Sequence, residues 1–80
     1  MDPRIQVGST YRHFKGGIYR IIAIAKNCND PSKTYVVYRN ITDESLVWSR
    51  EYDEFASKVD KEKYPDAAQE YRFESVLNIP

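Results

Sequence analysis

Tyr11 to Lys26 reads YRHFKGGIYRIIAIAK, and the fold turns on it. Gly16-Gly17 divides the stretch in two. A glycine pair reaches the positive backbone φ angles that a tight hairpin needs. The residues on either side are aromatic and β-branched, types that suit a pleated, half-buried surface. The spacing predicts a strand over Thr10–Phe14, a hairpin at Lys15-Gly16-Gly17 and a second strand over Ile18–Ala25. In strict alternation Ile18, Arg20, Ile22 and Ile24 share one face of the second strand, and Tyr19, Ile21, Ala23 and Ala25 share the other. Both faces are largely apolar, the pattern of a central strand with much of both sides covered. The small Ala23 and Ala25 leave room for a ring over their face.

Downstream, Lys26–Lys33 (KNCNDPSK) has the composition of a loop, with an Asp-Pro step inside it. Thr34–Arg39 (TYVVYR) reads as a strand, Asn40–Ser45 as a turn and Leu46–Arg50 (LVWSR) as a fourth strand hairpinned to the third. From Ser49 or Arg50 to about Lys58 the period changes. Tyr52, Phe55 and Val59 recur at three and four, the apolar stripe of a short helix or 3₁₀ turn. Asp53 and Glu54 suit the positive end of its dipole. Pro65 stops any continuation. Asp66–Glu70 is a linker, and Tyr71–Val76 reads as a last strand. Pro3, Ile5 and Val7 form a lead-in or an added edge strand. Tyr52, Phe55, Val59 and Phe73 are expected in the core. In a chain of 80 residues, four or five short strands with local hairpins make one domain, residues 1–80. The expected architecture is mainly β: a small, strongly bent antiparallel sheet forming a partly closed barrel, with one short helical turn after the fourth strand.

Composition narrows the setting. A single Cys cannot form an internal disulfide. The longest apolar run, Ile21–Ala25, is far short of a membrane span, and no apolar segment follows Met1-Asp2-Pro3-Arg4. The chain is therefore expected in the reducing cytoplasm, with no membrane partner. The formal charge of zero hides an asymmetry: residues 1–40 hold seven cations against two carboxylates, residues 41–80 five against ten. Such polarity either builds a basic face or pairs one half with the other across the surface.

Few kinds of chemistry fit. One His and one Cys cannot build a closed zinc site, and no carboxylates have calcium-loop spacing, so no metal or other cofactor is expected. A Cys–His nucleophile would need Cys28 beside His13, yet Cys28 lies in a loop. Gly16-Gly17 leads into a strand, not a helix, and so makes a turn and not a phosphate cradle. No enzyme activity is expected, with His13 the residue that would carry one. Binding fits better. On the first strand Arg12 and Phe14 share one side, Tyr11, His13 and Lys15 the other; with Phe14 inward, the latter three line a rim. Tyr35, Val37 and Arg39 alternate with Val36 and Tyr38, and Trp48 and Arg50 share a face with Leu46. Aromatics interleaved with cations stack bases and hold phosphates, and the same groups grip carboxylates. The candidate binding residues are Arg12, His13, Lys15, Tyr38, Arg39, Trp48 and Arg50. Bland alternatives stand beside them: Trp48 in the core, Arg12 and Arg50 paired with the chain's own carboxylates, His13 as a hydrogen-bonded rim residue.

YRHFKGGIY (11–19), IAIAK (22–26), YVVYR (35–39), LVW with Arg50 (46–50), Phe55, and KYP to YRFE (63–74) resemble the domain of unknown function 1653 family over about residues 10–74. The resemblance implies a small bacterial protein with an SH3-like barrel; it implies no activity. The family usually follows Trp-x-Arg with Pro, whereas Glu51 stands here. The direction in which the chain enters the helical turn is thereby left open. The function expected from the residues is a non-catalytic binding module for an anionic partner, either nucleic acid or nucleotide or an acidic protein segment. The alternative is a structural or oligomerising domain.

Overall fold

The computed structural model describes residues 1–76. Five strands form one antiparallel sheet: β1 (Thr10–His13), β2 (Ile18–Lys26), β3 (Thr34–Asn40), β4 (Val47–Glu51) and β5 (Phe73–Ser75). A single helical turn, α1 (Tyr52–Phe55), follows β4. The spatial order is β4-β3-β2-β1-β5. The mainly β architecture is as expected, and the sheet is not closed, since among the described residues β4 and β5 end it as unpaired edges.

The opening hairpin forms where the glycine pair demands it. Gly16 and Gly17 take φ of +102° and +87°, and the His13 N–H donates to the Gly17 carbonyl at 3.1 Å. A Cβ on Gly17 would stand 2.9 Å from the Tyr19 hydroxyl oxygen. A side chain at 17 would be strained in its backbone and would push the Tyr19 ring aside.

The alternation expected for β2 is corrected by a bulge. Ile21 opposes Tyr38 and Ala23 opposes Val37, which leaves Ile22 as the extra residue. An extra residue reverses which parity faces inward. Tyr19, Ile21 and Ile24 therefore all meet the core, while Ile22 and Ala23 are exposed. β2 is central, between β1 and β3, but the two apolar faces read from the sequence are one inward face with its phase switched midway.

The core lies against the inner face of the sheet. Tyr11, Ile21, Val36, Tyr38, Phe55 and Phe73 are buried. Phe55 and Phe73 stack with ring centroids 3.9 Å apart and planes 7° off parallel. Tyr11 and Tyr38 meet Phe55 edge-on at 5.7 and 5.5 Å. This geometry suits the ring quadrupoles. Phe55, Phe73 and Val59 are core as expected, whereas Tyr52 is half-buried. Tyr11, expected on the rim, is buried. Its hydroxyl donates to the Arg4 carbonyl at 2.7 Å and accepts from the Gln6 N–H at 2.9 Å. Those bonds fasten residues 4–6 as a lead-in against the sheet; no strand forms there.

The helical turn is shorter than its apolar stripe suggests, because β4 stays paired with β3 through Glu51 at its start and Ser57–Val59 bonds to Glu70–Arg72 beyond its end. Glu51 has φ −55° and ψ 139°, angles proline can adopt. The chain thus enters α1 as a proline would direct it.

Candidate functional site

Pairing sorts the seven candidate residues. Directly opposed residues in an antiparallel sheet point to the same face. Tyr38 opposes Trp48, and Val36 opposes Arg50. Trp48 and Arg50 therefore share the inner face with Tyr38. His13 opposes Phe73 across β1–β5 and also faces inward. Arg12 opposes Ile18 and Glu74, and Arg39 opposes Arg20 and Val47. Those two arginines lie on the outer face. The expected binding face is thus divided: His13, Tyr38, Trp48 and Arg50 gather on one side, Arg12 and Arg39 stand on the other, and Lys15 sits in the hairpin turn.

The inner-face group lines a depression of about 240 Å³ with Tyr19 and Phe73. Trp48 forms an exposed wall, at 49% of its full accessibility. Arg50 is half-buried: its Nε donates to the Tyr38 hydroxyl at 3.1 Å, and Nη1 meets the Glu54 carboxylate at 2.6 Å. Its guanidinium lies 5.6 Å from the Phe73 ring centroid, a cation–π distance. Tyr38 is buried, and it holds Arg50 in place through its hydroxyl.

His13 is wedged between Phe14 and Phe73, each ring 4.8 Å away. Its Nδ1 accepts the Lys15 N–H at 3.2 Å. Burial among these rings pushes its pKa down to about 4, and the positive charges of Arg50, Arg72 and Lys15 add to the effect. The imidazole is neutral at pH 7. With Nδ1 accepting, the proton sits on Nε2, and that buried Nε2–H has no partner among the described residues. The depression thus combines a flat ring and a guanidinium beside a neutral imidazole. It suits a ligand group that carries acceptor oxygens beside a flat apolar part.

The charge asymmetry does not resolve by self-pairing. Among the described residues the ion pairs are Arg4–Asp2, Arg50–Glu54 and Lys58–Glu70. None joins the first forty residues to the rest. On the outer face the guanidiniums of Arg20 and Arg39 stand on opposed residues, and Arg39 Nε is buried without a partner among the described residues. Arg12 opposes Glu74, yet the Glu74 carboxylate accepts the backbone N–H groups of Glu70 and Tyr71 instead.

A second aromatic–basic group went unread in the sequence. Phe14 packs edge-on against Tyr64 at 4.9 Å. Lys15 Nζ and Lys63 Nζ lie 4.8 and 5.5 Å from the Tyr64 centroid, and the Arg72 guanidinium lies 5.6 Å from that of Phe14. The Lys15 ammonium, through its polar contact with the phenol, lowers the Tyr64 pKa, and Lys63 adds to the shift. The available signal was a tyrosine flanked by Lys63 and Pro65 in an otherwise polar connection. Cys28, by contrast, leaves the far end of β2 from His13, so the two cannot act together.

Among the described residues no helix is long and apolar enough to cross a membrane. A family model described as "Protein of unknown function (DUF1653)" matches residues 9–75. The chain belongs to that family. Neither a curated protein nor a solved structure matches it.

Proposed function

We propose that this member of a family without an assigned activity is a non-catalytic, cytoplasmic binding module for an anionic partner, read through the depression between β4 and β5. The observation that carries the reading is the half-exposed Trp48 beside Arg50 in one depression of the inner face. The guanidinium would receive phosphate or carboxylate oxygens, bidentate once Glu54 yields its place. Trp48 would cover the flat part of the ligand. The separation of Cys28 from His13 supports a binding role over a catalytic one.

Trp48 is the sole tryptophan, so its emission reports on this depression alone. Titration at low salt with an Asp/Glu-rich peptide and with a short oligonucleotide is expected to shift that emission for at least one of them. Arg50→Gln is expected to weaken the response at least tenfold. Silence toward both probes, or an unchanged response in Arg50→Gln, would remove the reading.

A further inference from the structure

Taking the depression as a binding site, we infer that its partner is a single-stranded nucleic acid, and that Lys15, Lys63, Tyr64 and Arg72 form a second contact for the same strand. The two places are physically continuous. Tyr64 touches Phe14 at 4.9 Å, Phe14 touches His13 at 4.8 Å, and His13 touches Phe73 at 4.8 Å. Phe73 floors the depression that Trp48 walls. A line of rings thus runs from the Tyr64 end to the Trp48 end.

Charge follows the same line. Arg50, Arg72 and Lys15 are the cations that bear on His13 in its middle. Lys15 and Lys63 bracket Tyr64 at its far end. Lys15, Lys63 and Arg72 have no carboxylate within ion-pair distance among the described residues. Lys15 and Lys63 are exposed and open to a phosphate, whereas Arg72 is half-buried with its Nε donating to the Ser57 hydroxyl at 3.3 Å and has only its Nη groups to offer.

An acidic peptide would use the cations but has no need of ring faces at both ends. A single strand uses both: phosphates repeat along it, and every base offers a π-face. Duplex bases are stacked on one another and cannot reach Trp48. The strand therefore sets its phosphates against Arg50, Lys15, Lys63 and Arg72 and lays one base on Trp48.

The test is fluorescence anisotropy of a labelled eight-nucleotide oligothymidylate over a salt series, with the full chain. Each phosphate neutralised on a single strand contributes about −0.7 to the slope of log K against log salt. Four contacts give about −2.8, which is a loss of roughly fiftyfold between 50 and 200 mM salt. The exposed double substitution Lys15→Ala/Lys63→Ala is expected to reduce the slope to about −1.4. Trp48→Ala is expected to weaken binding about 5- to 150-fold with the slope unchanged, and Trp48→Phe to restore most of it. Circular dichroism melts confirm that each variant is folded. Equal affinity for duplex, a slope unmoved by the lysine changes, or no retention of the oligonucleotide at low salt overturns the proposal. If the acidic peptide shifts Trp48 emission while the oligonucleotide does not, the nucleic-acid assignment falls and the binding module stands. If neither does, both fall.

Discussion

His13 shows how one residue type takes its properties from its neighbours. In the unfolded chain it titrates near the ordinary histidine value of 6.5; in the fold it stays neutral down to about 4. Between those values the unfolded chain binds a proton that the native state refuses, so stability falls as pH falls through that window. Below about pH 4 both states are charged and the effect is spent. Denaturant midpoints at pH 7.0 and 4.5 are expected to differ more in the wild type than in His13→Asn, which keeps a short acceptor for the Lys15 N–H but cannot titrate. Carboxylates that protonate in the same range do so in both proteins, so the difference between them isolates the histidine. Residue types alone selected His13, Tyr38, Trp48 and Arg50 as binding candidates, and the fold brings these four together. They could not show that Arg12 and Arg39 face the other way. In a strand, side is set by parity counted from a known inward residue, and taking Phe14 as that residue placed Tyr11 on the wrong side.

At the level of elements, the strands were legible because β-branched and aromatic residues concentrate in them and glycine or loop chemistry separates them. The bulge at Ile22 was not. A bulge depends on the partner strand, and the run IYRIIAIA carries no mark of where its phase changes. Helix length failed for a related reason, since the stripe through Tyr52, Phe55 and Val59 records which residues meet the core but not how β4 pairs. Glu51 makes the pairing testable. The Asn40 N–H donates to the Leu46 carbonyl at 3.0 Å, which makes that couple a hydrogen-bonded one. Counting along the alternation, the Tyr35–Glu51 couple is a non-bonded one, and the Glu51 N–H points away from β3. Proline at 51 would thus remove no ladder bond and would fix a φ that is already held. Glu51→Pro is expected to stabilise the protein by about 0.4–1 kcal/mol, seen as a higher denaturant midpoint with an unchanged m-value. A loss of stability would show that this amide has a partner after all.

For the whole molecule, a chain of this size buries a modest fraction of its surface, and its core rests on a few large rings. The Phe55–Phe73 stack joins the helical turn to the last strand, two elements that are not paired in the sheet. Charge was only half legible at this scale: the excess of cations in the first forty residues is real, but linear order hid its division between the two faces. The unpaired edges have a further consequence. Across the gap between β4 and β5 the chain is held by side chains, among them Arg50 over Phe73, with no backbone ladder among the described residues. The seam is a hinged clasp, and β5, at three residues, is its lighter jaw. Anything seated between Trp48 and Phe73 fastens that clasp from inside. Amide exchange at Phe73, Glu74 and Ser75 is therefore expected to slow when a ligand occupies the depression, while exchange in β2 and β3 stays the same. A ligand that left β5 as fast as before would be bound somewhere else.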